Sequence, residues 1–240
     1  MDKEWINWYI EKALAEDIGT GDHTSQACIP QEGRSEAFLL VKDSGVLAGC
    51  ELAHYTFENY AANLDFTCHL EDGDEINHGD IAFEIKCNTR DLLKLERFVL
   101  NTMQRMSGIA SFSRRYADEI SDLPVQILDT RKTTPLLRYI EKWAVRIGGC
   151  KNYRYGLYDW IMIKDNHIAA AGSITNAVAM AREHAGLMVK VEVECETEAQ
   201  VREAVEAGAD IIMLDNQTPE SAKRLCELIP ESIISELSGG

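Results

Sequence analysis

The sequence lacks any long apolar run. Its 240 residues contain no stretch that approaches the ~20 consecutive apolar residues of a membrane span. The first residues are charged and amphipathic, without the basic start and apolar centre of a signal peptide. We therefore expect a cytoplasmic protein that does not bind a membrane.

Paired cysteine motifs are also missing. The seven cysteines include no CxxC pair, and their odd number and wide spacing argue against a disulfide framework and against a zinc site. We expect most of them to be small buried residues.

Basic residues are scarce overall but concentrated in one segment. The 24 Lys and Arg face 40 Asp and Glu, and the net charge of −16 argues against nucleic acid as a partner. Residues 126–165, however, hold eight basic and four acidic residues, a balance of +4 that leaves −20 for the rest of the chain. A basic segment in an acidic protein indicates an anionic small ligand.

The hydrophobic pattern divides the chain into two parts. An amphipathic helix is predicted over residues 2–16, and short β-rich runs with an intervening helix over 34–87. Residues 90–120 predict one long helix, or two with a break near Gly108. We place a domain boundary near residues 103–112 and divide the chain into an N-terminal α/β sandwich domain, 1–108, and a second domain, 109–240.

In the second domain, strands and helices alternate, which predicts a parallel sheet. The predicted strands are "VQILD", "DWIMIKD", "MVKVEVEC", "DIIMLDN" and "SIISELSGG". The helix before the second strand is predicted from Pro135, in "PLLRYIEKWAVRIG". Four strand–helix units and a last strand are too few for an eight-fold barrel of ~250 residues. The prediction is an α/β fold with an incomplete (β/α) barrel that lacks its C-terminal part.

Polar residues follow every predicted strand of this barrel. In chain order they are Asp129, Arg131 and Lys132; Lys164 and Asp165; Glu192 and Glu194; Asp215 and Asn216; and Glu236 and Ser238. Parallel βα folds place their ligand sites at these carboxyl ends. The alternative is that polar residues merely mark the starts of loops.

The residue types at these strand ends suit a particular chemistry. Arg and Lys bind carboxylates and phosphates, and acids on neighbouring strands suit Mg²⁺ that is shared with substrate phosphates. The segment "SGG", with Ser238 and Gly239, offers backbone N–H groups for a phosphate. We expect a metal-assisted enzyme that acts on a phosphorylated, acidic small molecule.

Eight motifs also carry a family resemblance. They are, in order, "ALAEDIGTGDHTS", "LERFVLNTMQRMSGIAS", "ILDTRKTTP", "EKWAVRIGG", "NYRYGL", "IKDNHIAAAGSI", "VEVE" and "IIMLDN". Together they resemble quinolinate phosphoribosyltransferase, of the type II phosphoribosyltransferase fold. The resemblance implies transfer of phosphoribosyl from phosphoribosyl pyrophosphate (PRPP) to quinolinate, with release of pyrophosphate and CO₂, to give nicotinate mononucleotide in NAD biosynthesis. It also implies Mg²⁺ and a homodimer or a hexamer of dimers.

The resemblance assigns residues motif by motif. The quinolinate pocket would be lined by Arg131, Lys132, Tyr153, Arg154 and Lys164. Arg97 would reach the partner subunit's site, and Glu194 and Asp215 would face Mg²⁺–PRPP. Catalytic roles fall to Lys132, Lys164, Glu194 and Asp215. For His167 we expect a supporting role beside the site.

The chain departs from the family pattern in its best-matched segment. Tyr153 stands where the family has histidine, Leu136 where it has glycine, and Cys150 where it has the third glycine of a run. The family also continues beyond the residue at which this chain stops, with a further phosphate-binding loop and the last barrel strands. We expect an exposed sheet edge there.

Several alternatives remain open. The chain could be a same-fold paralogue with a changed substrate, as in the ModD-like group, although "IKDNH" argues against it. It could also be a catalytically weak homologue that serves as a binding or regulatory subunit, which Tyr153 favours. Locally, Arg131 and Lys132 could form salt bridges with Asp129 or Glu141, and Arg97 could be merely solvated.

Overall fold

The computed structural model describes residues 1–186 and 188–239, and the chain forms two compact units. The first unit comprises residues 1–153 and the second residues 154–240. The helices of the first unit are α1 (Lys3–Ile18), α2 (His23–Cys28), α3 (Cys50–Tyr60), α4 (Thr89–Glu119) and α5 (Arg138–Ile147). Its strands are β1 (Arg34–Leu40), β2 (Gly45–Val46), β3 (Asp65–Cys68), β4 (Glu75–Ile76) and β5 (Ile81–Asn88).

The first unit is built on an antiparallel sheet of order β1-β5-β3, with a separate β2-β4 pair. The apolar faces of α1, α3 and α4 share one core with the sheet, and its fully buried side chains include Ile6, Ile10, Leu52, Leu95 and Met106. This arrangement confirms the predicted N-terminal α/β domain. Helix α2 was not predicted. It forms because the Asp22 carboxylate accepts the Ser25 N–H at 2.9 Å and so caps the helix start.

Helix α4 runs without a break through the position at which the sequence suggested one. Its 31 residues include Gly108, so the single-helix alternative is confirmed. Helix α5 contacts α4 closely, since a Cβ at Gly148, just after α5, would overlap the carbonyl oxygen of Ala110. The predicted domain boundary between residues 108 and 109 lies inside α4 and stays a prediction. The compact units divide instead after Tyr153.

Two predictions around α5 were wrong. The segment "VQILD" forms only an isolated parallel bridge, between Leu128 and Lys151, instead of a strand of the sheet. Helix α5 begins at Arg138 and not at Pro135, because Leu136 has φ 66°, which a right-handed helix cannot include. The intervening residues therefore form a loop, residues 129–137.

The conformation of Leu136 gives a prediction about stability. A left-handed backbone costs a non-glycine residue ~1–2 kcal/mol, partly offset by the ~0.5–1 kcal/mol entropy cost of glycine. The Leu136 side chain loses little burial on removal, because the residue is 72% exposed. Leu136→Gly should therefore raise the free energy of unfolding by about 0.5–1 kcal/mol in denaturant titrations. Leu157, equally exposed at 72% but without a positive φ, is the matched control, and Leu157→Gly should not stabilise. Equal effects of the two substitutions would contradict the strain argument.

The second unit is a parallel sheet with helices in alternation. Its strands are β6 (Ile161–Ile163), β7 (Val191–Cys195), β8 (Ile211–Asp215) and β9 (Ile234–Ser238), and its helices are α6 (Asp165–Ala171), α7 (Ile174–His184), α8 (Glu198–Glu206) and α9 (Pro219–Cys226). The sheet order is β6-β7-β8-β9, all parallel. This confirms the α/β prediction, with four strands in the sheet instead of five. Helix α6 is an addition that the sequence analysis did not predict.

The alternation of side-chain direction along each strand, clearest in β7, decides what each face of this sheet carries. One face packs Val191, Val193 and Ile212 against helix residues such as Val201 and Leu225. The other face carries the charged residues at alternate positions. Strand β9 has a single partner strand among the described residues, and its Ile234 and Leu237 side chains are exposed, as expected for a sheet edge. Within the described residues, no helix is both long and apolar enough to cross a membrane.

Candidate active site

Helix α5 holds the 129–137 loop through side chains on one face. Arg138 donates from Nε to Thr133 Oγ1 at 3.0 Å and from Nη2 to the Arg131 carbonyl at 3.3 Å. The Glu141 carboxylate accepts the Thr134 N–H at 3.2 Å. These residues and Lys142 have the spacing i, i+3, i+4, which places them on a single side of a helix. The conformation of the loop therefore depends on α5.

The far end of the loop is also tied to α4. Arg105 donates from Nε to Glu141 Oε1 at 2.9 Å and hydrogen-bonds the Thr134 hydroxyl. Glu141 is buried, and this pairing compensates its charge. Arg105 and Glu141 thus fix Thr134, three residues beyond Arg131.

The start of the loop is fixed by the Asp129 carboxylate. It forms an ion pair with the Lys142 ammonium and accepts Asn152 Nδ2–H at 2.7 Å and the Tyr153 N–H at 2.8 Å. Lys142 has no exposed surface and also donates to the Tyr153 carbonyl at 3.0 Å. Asp129 and Lys142 therefore join the 129–137 loop to the segment that carries Tyr153.

Arg131 and Lys132 do not form the structural salt bridges that one alternative predicted. Asp129 pairs with Lys142 and Glu141 with Arg105, so both carboxylates are already engaged. Among the described residues, the buried Arg131 Nε has no hydrogen-bond partner, and the exposed Lys132 forms no ion pair. Two adjacent cations without a carboxylate of their own suit an anionic ligand.

Two of the three substituted positions, Cys150 and Tyr153, are accommodated by hydrogen bonds. Cys150 is buried and donates from Sγ to the Ser113 carbonyl at 3.2 Å, and its φ is not positive. The preceding Gly149 has φ 97°, which favours glycine. The Tyr153 backbone is held at both its N–H and its carbonyl by Asp129 and Lys142. These bonds argue against a displaced backbone at Tyr153.

The charged face of the second unit begins with a pair at the ends of β6 and β7. Lys164 Nζ donates to Glu194 Oε2 at 2.5 Å. His167 Nδ1 accepts the Lys164 N–H at 2.9 Å, which fixes the backbone of the lysine. The Glu194 side chain is largely buried and that of Lys164 is half-exposed, so the lysine can also meet a ligand. His167 therefore lies beside Lys164, and its supporting role stays a prediction.

Two further carboxyl groups belong to the same face. Glu192, fully buried on β7, accepts the Trp160 Nε1–H at 2.8 Å. Burial raises the pKa of Glu236 on β9 to about 7, with a further contribution from the negative charge of Glu192. The face therefore combines Lys164 with several acids, and a second cation on it would lower the cost of their burial.

A small cleft lies at the carboxyl ends of β8 and β9. Asp215 pairs in register with Ser238 and accepts Asn216 Nδ2–H at 2.7 Å, and the Asn216 N–H donates to the Ser238 carbonyl at 2.9 Å. Gly239 has φ 113°, and a Cβ there would overlap the Asn216 backbone nitrogen. The cleft has a volume of about 400 Å³, and its lining includes Gln217, Thr218, Ser238 and Gly239. Its polar lining and exposed backbone suit a phosphate.

The carboxylates fit a metal that is carried by a substrate. No group of three metal-binding side chains occurs among residues 1–186 and 188–239. Glu194 lies in register with Met213, two residues before Asp215, so the two acids are on neighbouring strands, roughly 8 Å apart at Cα. Mg²⁺ commonly takes one or two carboxylates together with waters and substrate phosphates. Glu194 and Asp215 fit that pattern better than a site built of protein ligands alone.

The remaining predicted site residues differ in their surroundings. Arg97 is exposed on α4 and makes no hydrogen bond or ion pair within the described residues. Arg154 is buried and donates from Nη1 to the Trp160 carbonyl at 3.3 Å and from Nη2 to Met162 Sδ at 3.1 Å. Within the first unit the structure joins the Tyr153 backbone to Asp129, two residues before Arg131. Within the second it joins Lys164 to Glu194 and Asp215 to the strand that carries Ser238.

Sequence reasoning missed three residues that shape the 129–137 loop: Arg105, Arg138 and Lys142. The spacing of Arg138, Glu141 and Lys142 in "RYIEKW" was available as a signal that they share a helix face. What the sequence did not show is that this face turns toward the loop.

Comparisons with known proteins agree with this arrangement. Residues 22–107 match the model of the N-terminal domain of quinolinate phosphoribosyl transferase, and residues 109–240 match that of its C-terminal domain. A Bacillus subtilis protein named a probable carboxylating nicotinate-nucleotide pyrophosphorylase is 48% identical over 225 residues, 94% of this chain and 78% of the relative. A chloroplastic Arabidopsis thaliana protein named a carboxylating nicotinate-nucleotide pyrophosphorylase is 45% identical, over 86% of this chain and 62% of its own length.

Solved structures give the same result. The NadC protein of Streptococcus pyogenes superposes with a TM-score of 0.92 at 40% identity, over all of this chain and 85% of its own. The nicotinate-nucleotide pyrophosphorylase of Francisella tularensis also gives 0.92, at 34% identity, over all of this chain and 84% of its own. The family models together cover most of the chain, and the fold agrees throughout, so this chain belongs to the quinolinate phosphoribosyl transferase family.

Proposed function

We propose that the protein is a carboxylating phosphoribosyltransferase that joins quinolinate to PRPP and releases nicotinate mononucleotide, pyrophosphate and CO₂. The observation that carries the proposal is the state of Arg131 and Lys132. They are adjacent cations on a fixed loop, and the nearby carboxylates, Asp129 in the loop and Glu141 in α5, already have partners. Quinolinate carries two adjacent carboxylates, and two fixed cations are complementary to such a pair.

The reaction needs positioning more than it needs a protein nucleophile. The pyridine nitrogen forms the bond to the anomeric carbon while the bond from that carbon to pyrophosphate breaks. The nitrogen then bears a positive charge, which stabilises the electron pair left on the adjacent ring carbon when its bond to the carboxylate breaks and CO₂ leaves. A proton then adds to that carbon. Arg131 and Lys132 would orient the ring for this attack.

The second unit would handle the phosphoribosyl group. Glu194 and Asp215 would face the PRPP-bound Mg²⁺, which neutralises charge on the departing pyrophosphate. The Ser238–Gly239 backbone would hold a phosphate, and Lys164 would meet a substrate carboxylate while paired to Glu194. A carboxylate near the sugar would also stabilise the positive charge that develops at the anomeric carbon in the transition state.

The test is direct. The purified chain is supplied with quinolinate, PRPP and Mg²⁺, and nicotinate mononucleotide and CO₂ are measured together. Equimolar formation of both products supports the proposal, and nicotinate in place of quinolinate serves as the control substrate. Binding of quinolinate without product would instead favour the catalytically weak homologue, and binding of neither substrate would favour the paralogue.

Tyr153 gives a prediction within this proposal. Its side chain offers one hydroxyl group, whereas an imidazole in its place can carry a positive charge. Because the Tyr153 backbone is fixed by Asp129 and Lys142, a substitution should act through the side chain. Tyr153→His should lower the KM for quinolinate several-fold, by about 1 kcal/mol of binding. The gain should be largest below pH 6.5, where the imidazole is protonated.

The measurement is the KM for quinolinate against pH in the wild type, Tyr153→His and Tyr153→Phe. Loss of affinity in Tyr153→Phe would show that the hydroxyl contacts the substrate. A histidine variant whose KM is unchanged or higher at every pH would show that Tyr153 only fills space.

The proposal includes a homodimer, or a hexamer of dimers, in which Arg97 completes the partner's site. It is supported by the exposed position of Arg97 without a partner among the described residues. Sites shared across an isologous interface can be tested by mixing Arg97→Ala with Lys132→Ala subunits, because a mixed dimer would carry one intact site. Each variant alone should be nearly inactive, and activity should return on mixing. No recovery after verified subunit exchange would contradict the shared site.

A cytoplasmic location is also part of the proposal. The seven cysteines are all unpaired, which fits a reducing compartment. Fractionation of cells that express the tagged chain tests it, and recovery in an oxidising compartment would contradict it.

A further inference from the structure

We propose that Lys142 and Asp129 are a positioning pair that sets the quinolinate-binding geometry by holding two loops, residues 129–137 and 151–153, on helix α5 at once. The inference rests on the proposed function, because it assigns the pair a role in quinolinate recognition. Neither residue needs to touch the substrate. Their effect passes through Arg131, Lys132 and Tyr153.

Several hydrogen bonds converge on the Asp129 carboxylate. Its carboxylate receives donors from three places: the Lys142 ammonium, the Asn152 amide and the Tyr153 N–H. A carboxylate that accepts several donors has its orientation fixed by them. Asp129 lies two residues before Arg131, so its orientation sets the position of the backbone that leads into Arg131 and Lys132.

Lys142 is placed so that it contacts both loops. It is fully buried in α5, and its ammonium bridges Asp129 and the Tyr153 carbonyl at 3.0 Å. The Lys142 carbonyl in turn accepts Asn152 Nδ2–H at 2.8 Å. One residue of a rigid helix therefore contacts both loops, and a shift of Lys142 would move both.

The backbones of the two loops approach each other closely. Leu128 and Lys151 form a parallel bridge, with the Lys151 N–H donating to the Ile127 carbonyl at 2.9 Å and the Asp129 N–H to the Lys151 carbonyl at 3.1 Å. Each loop leaves this bridge immediately before its candidate binding residues. The Asp129–Lys142 pair lies beside this bridge. It therefore sets the spacing between Arg131 and Lys132 on one loop and Tyr153 on the other.

A buried ion pair of this kind is a costly way to gain stability. Replacing such a pair with apolar residues is often neutral or stabilising, whereas removing one partner alone is strongly destabilising. Specific orientation of the loops is a gain that an apolar pair of the same size would not provide. This is the physical reason to assign Lys142 and Asp129 a positioning role.

The test compares Asp129→Asn with a destabilised control. Asn keeps the shape of the side chain but can no longer accept all three donors, so both loops should loosen. Displacement of binding groups by ~1 Å costs up to about 100-fold, so we expect the Kd and KM for quinolinate to rise 10- to 100-fold. The KM for PRPP should change less than about 3-fold, because its proposed contacts lie in the second unit. Ile10→Ala, a core truncation in α1, lowers the melting temperature without touching the loops and should leave both constants unchanged.

A second readout does not depend on activity. Hydrogen–deuterium exchange without substrate should show faster exchange in residues 129–134 and 151–153 together in Asp129→Asn, and not in Ile10→Ala. Arg105→Met is the contrast, because it frees Thr134 and Glu141 at the far end of the loop and should leave residues 151–153 protected. If Asp129→Asn does not fold, the neutral pair Asp129→Asn with Lys142→Gln replaces it.

The outcomes separate the two proposals. Wild-type protein that neither binds nor converts quinolinate overturns the proposed function, and the positional claim then has no substrate to act on. A quinolinate affinity in Asp129→Asn equal to that of Ile10→Ala, or an equal loss for both substrates, overturns the positioning role alone. Exchange that rises in only one of the two loops overturns the claim that the pair links them.

Discussion

Replacing Arg131 or Lys132 by alanine is expected to weaken quinolinate binding 10- to 100-fold while PRPP binding changes little. A hydrogen bond to a charged group contributes about 1.5–3 kcal/mol, and ~1.4 kcal/mol corresponds to a factor of ten. Neither cation is needed to balance a nearby carboxylate, because Asp129 in the loop and Glu141 in α5 have other partners. The loss should therefore appear in binding and not in the stability of the fold.

Isothermal titration calorimetry with each substrate checks this expectation. Arg146 and Lys151 are the matched controls, since they are an exposed arginine and an exposed lysine of the same segment. Arg146→Ala and Lys151→Ala should leave quinolinate affinity within about 2-fold, as surface charges generally contribute little. Equal losses for quinolinate and PRPP in Arg131→Ala or Lys132→Ala would show that the assignment to quinolinate is wrong.

Removing the carboxylates at the ends of β7 and β8 is expected to reduce turnover with PRPP by about 100- to 1000-fold, the range found for single groups that stabilise transition-state charge. Glu194→Gln removes a charge that also balances Lys164, at 2.5 Å. Asp215→Asn removes the second carboxylate. Both effects should be larger than any change in quinolinate affinity.

The requirement for a divalent cation is measured with the same variants. Excess EDTA should abolish turnover of the wild type, and added Mg²⁺ should restore it. Glu196→Gln is the control, because Glu196 is exposed and directly follows β7. In Glu194→Gln and Asp215→Asn, the Mg²⁺ concentration needed for half-maximal turnover should rise. Undiminished turnover in EDTA would exclude the proposed role.

The sequence was most informative where residue patterns map directly onto structure. The alternation of strands and helices after residue 160 was predicted correctly, because the period-2 run "VEVEC" and the short continuous apolar run "IIMLD" are both typical of strands in a buried parallel sheet. The shared direction of Glu192 and Glu194 followed from the same periodicity. The family resemblance followed from dense motifs and is confirmed by the comparisons.

Local patterns failed where a tertiary contact decided the outcome. "VQILD" has a strand composition but finds only one bridging partner, Lys151. The alternative in which Asp129 pairs with its nearest cations in sequence, Arg131 or Lys132, is wrong, because Asp129 pairs with Lys142. Proximity along the chain gives the wrong partner here, because helix α5 packs against the loop and places Lys142 next to Asp129. Helix α2 was missed because the capping of its first turn by Asp22 outweighs the two preceding glycines.

The network around α5 also has a consequence for the entropy of folding. Its bonds join residues that are near in sequence: 13 positions separate Lys142 from Asp129, 11 separate Lys142 from Tyr153, and 7 separate Thr134 from Glu141. The entropy lost on closing a loop grows with the logarithm of its length, so each of these closures is inexpensive compared with a contact across the whole chain. The segment from Ile127 to Tyr153 can therefore order itself as a unit once α5 has formed. Contacts between residues that are near in sequence generally form faster than long-range ones, so we expect these two loops to take shape early in folding.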